Sequence, residues 1–102
     1  MVEHAEPVVT AYREHVRFQE EGFATVLVAG TSRLRVLVVS LVPQQFLPVH
    51  APAVDLVATV LEGEGVCAAG ELEAEVGPGS VVVVPAGRAR GFRARTPMVL
   101  LG

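Results

Sequence analysis

Short apolar runs at even spacing are the feature that most constrains what this chain can fold into. Clusters of turn-forming residues, such as Gly63-Glu64-Gly65 and Gly77-Pro78-Gly79, separate one run from the next. Short strands with turn residues between them are typical of a β-sandwich or a β-barrel. The sequence therefore predicts an all-β protein with an antiparallel β-barrel. The runs span residues 23–29, 34–42, 54–61, 66–69, 72–76, 80–84 and 98–101.

The length of the chain limits the number of domains. Its 102 residues bury enough surface for one hydrophobic core but not for two. We predict a single domain over residues 1–102, with an N-terminal strand or arm over 1–22 and the barrel core over 23–101. Residues 10–21 fit a short helix about as well as a strand followed by a turn. We expect the N-terminal segment to pack, as one or two strands, on the barrel or on a second subunit.

Composition argues against several partners. The net charge of −3 provides no basic surface for nucleic acid, and the longest apolar runs are too short to cross a membrane. The single Cys67 excludes an internal disulfide and a cysteine zinc cluster, which fits a reducing compartment. The first residues lack the basic and apolar stretches of a signal peptide. We expect a cytoplasmic protein with no nucleic-acid and no membrane partner.

Two strands are apolar at nearly every position, namely Leu34 to Val42 and Ser80 to Val84. A strand with one wet face alternates apolar and polar residues, so these two strands should be covered on both faces. The barrel interior covers one face. A second subunit is the simplest cover for the other, because a lone barrel would expose a Val/Leu patch to water. The pattern therefore predicts a homodimer.

The segment from Gln44 to Gly63 resembles the first motif of the cupin family. That motif reads Gly, five residues, His-x-His, three or four residues, Glu, six residues, Gly. In this chain the corresponding positions are Gln44, His50-Ala51-Pro52, Leu56 and Gly63.

The segment from Gly79 to Ala94 resembles the second cupin motif, which reads Gly, five residues, Pro-x-Gly, two residues, His, three residues, Asn. Gly79 and Pro85-Ala86-Gly87 match it, while Arg90 stands at the His and Ala94 at the Asn. The resemblance implies a small single-domain cupin, a jelly roll (double-stranded β-helix) of the RmlC-like type.

The resemblance also shows where this chain departs from the family. Cupins commonly bind a divalent metal through the two His of the first motif, its Glu, and the His of the second motif. Of these four positions only His50 keeps a ligand, because Pro52, Leu56 and Arg90 occupy the others. None of the three offers a lone pair to a metal, and Arg90 would repel one. We predict no bound metal and no cofactor.

Alternation along the strands, in the register that the resemblance implies, directs one set of side chains into the barrel. From this set we predict a ligand pocket with His50, Leu56, Ala58, Arg90 and Phe92 as its candidate binding residues. The remaining inward positions are Pro52, Val60 and Ala94. Such a pocket is apolar, with an imidazole and a guanidinium as its polar groups, and suits a small organic anion.

Both polar groups have a second interpretation. Arg90 either anchors a carboxylate through bidentate hydrogen bonds or lies solvated at the rim, paired with Asp55 or Glu62. His50 either acts on a ligand or is a former metal ligand now bonded to backbone or water. Tyr12 is a candidate acid partner for His50, by similarity to metal-independent sugar epimerases of the wider cupin group.

The other titratable groups are given structural interpretations. We expect Cys67 to be a small core residue. Surface positions are expected for His4, His15, Arg88, Arg93 and Arg95.

Two hypotheses of function follow. The first is a non-catalytic binding module, a metal-free pocket for a small anion that serves as sensor, carrier or accessory subunit. The second is a metal-independent isomerase, epimerase or lyase, in which His50 transfers a proton and Arg90 holds a carboxylate. The sequence shows no second acid–base group inside the barrel, which favours the first hypothesis.

Overall fold

The computed structural model describes residues 6–50 and 52–102, without the side chains of residues 48–50. A single 3-10 turn, Tyr12–His15, precedes the strands within these residues. The strands are β1 (Ala24–Gly30), β2 (Arg35–Leu41), β3 (Phe46–His50), β4 (Leu56–Glu62), β5 (Gly65–Ala69), β6 (Leu72–Val76), β7 (Val81–Val84), β8 (Arg90–Ala94) and β9 (Met98–Leu101).

The strands form two antiparallel sheets that face each other. The first sheet has five strands in the order β1-β2-β9-β4-β7, and the second has four in the order β3-β8-β5-β6. All strand pairs are antiparallel. This arrangement confirms the all-β jelly-roll prediction.

Alternation along the strands builds one core between the two sheets. In β7, for example, Val82 and Val84 are buried and Val81 and Val83 are exposed. The core cluster contains Val39, Leu41, Ala58, Val60, Cys67, Val76, Val82, Val84, Phe92, Ala94, Met98 and Leu100. Small and β-branched side chains dominate it, as suits closely packed strands.

Each of the seven apolar runs coincides with a strand to within two residues at each end. The strands β3 and β8 do not stand out as apolar runs. Pro48 and His50 interrupt the first, and Arg90, Gly91 and Arg93 interrupt the second. Only the motif resemblance marked these two segments as strands.

The N-terminal segment, residues 6–22, is an arm without strands, so the expectation of one or two strands is wrong there. The arm follows the outer face of the five-stranded sheet. The amide of Arg17 donates to Ser40 Oγ at 3.1 Å, and Tyr12 Oη donates to Glu62 Oε2 at 2.7 Å. Val38, on β2, and Val99, on β9, have exposed fractions of 0%.

The arm changes the argument for a dimer. The outer face of β2 is buried within a single chain, so its apolar sequence needs no second subunit. An uncovered apolar patch remains toward the opposite edge of this sheet, on β4 and β7. There Val57, Val81 and Val83 are 60%, 63% and 64% exposed. Val57 pairs with Val83 across β4 and β7, so the patch is continuous.

Two motif positions show why the cupin pattern favours glycine there. Gln44, at the first Gly of the first motif, has a φ of 75°, in the left-handed region that side chains disfavour. Gly63 has a φ of 82°, and a Cβ at that position would collide with the carbonyl oxygen of Pro97.

Among the described residues, no helix is long and apolar enough to cross a membrane.

Candidate ligand site at the barrel mouth

One end of the barrel collects the strand ends that carry the two motifs, and we call this end the mouth. In the four-stranded sheet, Arg90 pairs with His50 at the end of β3 and with Ala69 at the end of β5. In the five-stranded sheet, Leu56 at the start of β4 pairs with Val84 at the end of β7.

Two loops close the mouth, and they are bonded to each other. The first, residues 52–55, precedes β4, and the second, residues 85–89, follows β7. The amide of Gly87 donates to the carbonyl of Pro52 at 2.9 Å, and the amide of Ala86 donates to Asp55 Oδ1 at 2.8 Å.

Arg90 occupies the space beneath these loops. Its exposed fraction is 5%, and its neighbours on the same face of β8, Phe92 and Ala94, belong to the core. Arg93 is exposed, with its guanidinium 5.8 Å from the ring centroid of Phe46. The inward orientation predicted for Arg90 therefore agrees with the alternation of β8.

The guanidinium of Arg90 donates hydrogen bonds to backbone carbonyls of both loops. Nη2 donates to Val54 at 2.8 Å and to Pro85 at 3.1 Å, and Nε donates to Arg88 at 3.4 Å. A buried cation requires such partners, because removing it from water is costly. The bonds fix the plane of the guanidinium and hence the direction of its remaining nitrogen.

For the remaining nitrogen, Nη1, no hydrogen-bond partner is seen in the described part of the chain, which does not include the side chains of residues 48–50. Every fully buried side-chain nitrogen or oxygen in that part of the chain has a partner. Because Nη2 and Nε are occupied by carbonyls, the predicted bidentate contact with a carboxylate does not fit this geometry.

The predicted ion pairs of Arg90 are wrong as well. Asp55 accepts from the amide of Ala86, and Glu62 lies on the outer face with Tyr12 and Arg13. In the described part of the chain, the ion pairs are Arg13–Glu62 at 3.7 Å and Arg95–Glu75 at 2.7 Å. Among the described residues, the buried guanidinium of Arg90 thus bonds to backbone carbonyls and forms no ion pair with a carboxylate.

The apolar candidates lie at two depths. Leu56 is half-buried at the mouth and packs against the core. Ala58 lies two residues after Leu56 on β4, and Phe92 lies two residues after Arg90 on β8. Both are inside the packed core, with exposed fractions of 4% and 6%. Of the candidate residues with described side chains, Leu56 and Arg90 are therefore the two that lie at the mouth.

Two surface grooves lie elsewhere. One of about 430 Å³ runs along the second sheet and includes Phe92 in its lining. Another of about 320 Å³ lies between the arm and the first sheet, beside Val8, Tyr12 and Val38.

The other candidates have different surroundings. The side chain of His50 lies outside the described residues, as does His4, so their predicted roles stay predictions. Tyr12 lies on the outer face, bonded to Glu62, and not in the barrel interior. Cys67 is buried in the core, as expected, and burial raises the pKa of its thiol. Surface exposure is seen for Arg88, Arg93 and Arg95 and partial exposure for His15.

The residues at the mouth do not fit a cupin metal. Pro52 and Leu56 have no donor atom, and Arg90 places a cation where a ligand would stand. In the described residues, no group of three or more His, Cys, Asp or Glu side chains could hold a metal ion.

Sequence reasoning missed the carbonyls of Val54 and Pro85 as partners of Arg90. No side-chain pattern marks a backbone acceptor, so nothing in the sequence pointed to them. Asp55 was noted only as a partner for Arg90. Its role as acceptor for the Ala86 amide depends on the loops meeting in space.

Two facing antiparallel sheets with motif loops at one end define a double-stranded β-helix. An RmlC-like cupin protein from Desulfovibrio desulfuricans is 30% identical, with a TM-score of 0.76, and the match covers 99% of this chain and 93% of that one. The TT1209 protein of Thermus thermophilus is 32% identical, with a TM-score of 0.86 and 91% of each chain covered.

A third structure shares the fold. A protein from Klebsiella pneumoniae with a double-stranded β-helix domain is 21% identical, with a TM-score of 0.84, over 94% of this chain and 87% of that one. No protein-family model matches the sequence, and no curated protein matches it significantly. The chain belongs to the RmlC-like cupins.

Proposed function

We propose that this cupin binds a small organic anion at its mouth without a metal, as a non-catalytic sensor, carrier or accessory subunit in the cytoplasm. The observation that carries the proposal is the state of Arg90. Its guanidinium is fixed by backbone carbonyls, and in the described residues it has no carboxylate partner and no hydrogen-bond partner at Nη1.

Charge favours an anion at this position. Carbonyl dipoles satisfy the N–H groups of Arg90 but do not neutralise its full positive charge. In a site poorly accessible to water, an anion near the guanidinium gains more than it would at an exposed arginine. A hydrogen bond to a charged group contributes about 1.5–3 kcal/mol.

The geometry restricts how the anion binds. With Nη2 and Nε bonded to carbonyls, one carboxylate contacts the N–H groups of Nη1 end-on. The apolar part of the ligand then faces Leu56 and Ala69, which are partly buried against the core. Because the core beneath is closely packed, we expect a short ligand, of the size of a small monocarboxylate.

A titration with short carboxylates tests the proposal. Acetate, propionate and butyrate are added to the wild-type protein and to Arg90→Lys, and binding is followed by calorimetry and by amide chemical shifts. We expect saturable binding to the wild type and binding weakened roughly 10-fold or more in Arg90→Lys.

Arg93→Lys is the matched control, because Arg93 is on the same strand but points outward. It should bind as the wild type does. Saturable binding that Arg90→Lys leaves unchanged would overturn the proposal. Turnover of a carboxylate that is lost in His50→Ala would instead support the metal-independent enzyme.

We further propose a homodimer, supported now by the patch of Val57, Val81 and Val83 alone. The patch lies on β4 and β7, and β7 is an edge strand of the five-stranded sheet. Three large apolar side chains side by side at an edge favour burial against a second copy.

A further inference from the structure

Arg90 stands where the second cupin motif places a metal-binding histidine, and its side chain joins both motif loops. We infer that the guanidinium of Arg90 replaces a metal ion as the structural centre of the mouth. The mouth then keeps its shape without a metal, and that shape depends on the planar guanidinium group of an arginine. This inference concerns the protein without a ligand and does not depend on anion binding.

The replacement keeps the same bonding role and changes the groups that supply the lone pairs. A metal ion gathers lone pairs from side chains of several strands. A guanidinium gathers lone pairs too, through N–H groups at fixed angles, and backbone carbonyls can supply them. Val54 and Pro85 supply them here, so these bonds need no metal-binding side chain at positions 52 and 56.

The position of Arg90 makes it the link from the barrel wall to the loops. The loops are bonded to each other through Gly87 with Pro52 and through Ala86 with Asp55. These two bonds join loop to loop. Arg90 adds bonds from β8 to both loops, and the amide of Gly70 fixes the start of β8 by donating to Ala89 at 2.7 Å.

Amide hydrogen exchange measures how far the bonds of Arg90 to the two loops stabilise the mouth. The amides of Ala86 and Gly87 report on the mouth. The amides of Val60 and Gly79, bonded at 3.0 and 2.9 Å to Ser80 and Val60, report on a remote turn. We expect Arg90→Lys and Arg90→Gln to speed exchange at the mouth amides by roughly 10-fold or more and at the remote amides by less than about 2-fold.

A chelator forms the second arm of the experiment. Incubation of the purified wild-type protein with EDTA should leave its melting temperature and its mouth exchange rates unchanged, because Arg90 carries the bonding. Arg93→Gln, on the outward face of the same strand, is the matched control and should match the wild type in both measurements.

Three results would overturn the inference. One is wild-type exchange at the mouth in Arg90→Lys, which would mean that positive charge suffices without the planar guanidinium group. Another is equal acceleration at the mouth and at the remote amides. The third is a fall in melting temperature on chelation. Arg90→Lys keeps the positive charge and most of the aliphatic side chain, so it can be used for the test if Arg90→Gln does not fold.

Discussion

Tyr12 Oη donates a 2.7 Å hydrogen bond to Oε2 of Glu62, and this bond fastens the N-terminal arm to strand β4. Arg13 reaches the same carboxylate oxygen at 3.7 Å. The arm then continues past Ser40, which accepts from the amide of Arg17. Polar contacts from Glu62 on β4 and Ser40 on β2 therefore help to hold the arm against the five-stranded sheet, and the side-chain amide of Gln45 adds bonds to the carbonyls of Gln19 and Glu20.

The titration of Tyr12 tests the arm contact. The hydrogen bond to Glu62, together with partial loss of hydration, raises the pKa of Tyr12 above its ordinary value of 10.0. Tyr12 is the only tyrosine, and the chain has no tryptophan, so tyrosinate absorbance reports this residue alone. We expect ionisation above the pKa of a free tyrosine, and a lower pKa in Glu62→Gln.

The sign of the stability effect follows from the raised pKa. Below the pKa of the unfolded tyrosine both states are protonated, and the contact contributes fully. As the pH rises through the raised pKa of the folded state, that contribution is lost. An ordinary pKa for Tyr12 in the wild type, unchanged in Glu62→Gln, would show that the arm is not docked as described.

Gln44 offers a stabilising substitution. Its φ of 75° costs about 1–2 kcal/mol for a residue with a Cβ, and glycine avoids this cost but loses about 0.5–1 kcal/mol of chain entropy. We expect Gln44→Gly to raise the free energy of unfolding by about 0.5–1 kcal/mol in denaturant melts. Gln44→Ala, which removes the same side chain and keeps the Cβ, should give no such gain. Equal effects of the two substitutions would contradict the assigned backbone conformation.

The exposed valine patch predicts the oligomeric state. Sedimentation at micromolar concentration should show a dimer for the wild type. Val83→Glu should give a folded monomer, because a dimer would bury an unpaired charge. Leu72→Glu, at an exposed apolar position on the other sheet, should remain dimeric. A monomeric wild type would refute the proposed interface.

Cys67 should react slowly with thiol reagents. It is buried in the core at 4% exposure, and burial raises the pKa of its thiol, so little of the reactive thiolate forms near neutral pH. We expect labelling at least roughly 100-fold slower than in denaturant. Rapid labelling of the native protein would mean that the core around Phe92 opens readily.

Much of the fold could be predicted because it depends on local pattern. The alternation of Val81 to Val84 and the turn glycines appear directly in the sequence. The covering of β2 by the arm could not be predicted, because an arm that packs in extended form has no periodic pattern. A strand apolar on both faces, such as β2, shows that a cover exists but does not identify it.

The site was predictable in position and less so in bonding. The motif spacing placed Arg90 and Leu56 at the same end of the barrel, and alternation along β8 pointed Arg90 inward. Its partners could not be predicted, because they are carbonyls of Val54 and Pro85, which any residue provides. The same limit explains why ion pairs with Asp55 and Glu62 were expected instead.

The NMR signals of the Arg90 guanidinium during a butyrate titration test the central claim most directly. The metal-free anion site predicts that the Nη signals of Arg90 shift saturably while those of Arg93 do not. Nη1 has no hydrogen-bond partner among the described residues, so its signals should move more than that of Nε. Arg90 signals that stay fixed while the ligand binds elsewhere, or shifts of Arg90 and Arg93 that are equal and unsaturable, would contradict it.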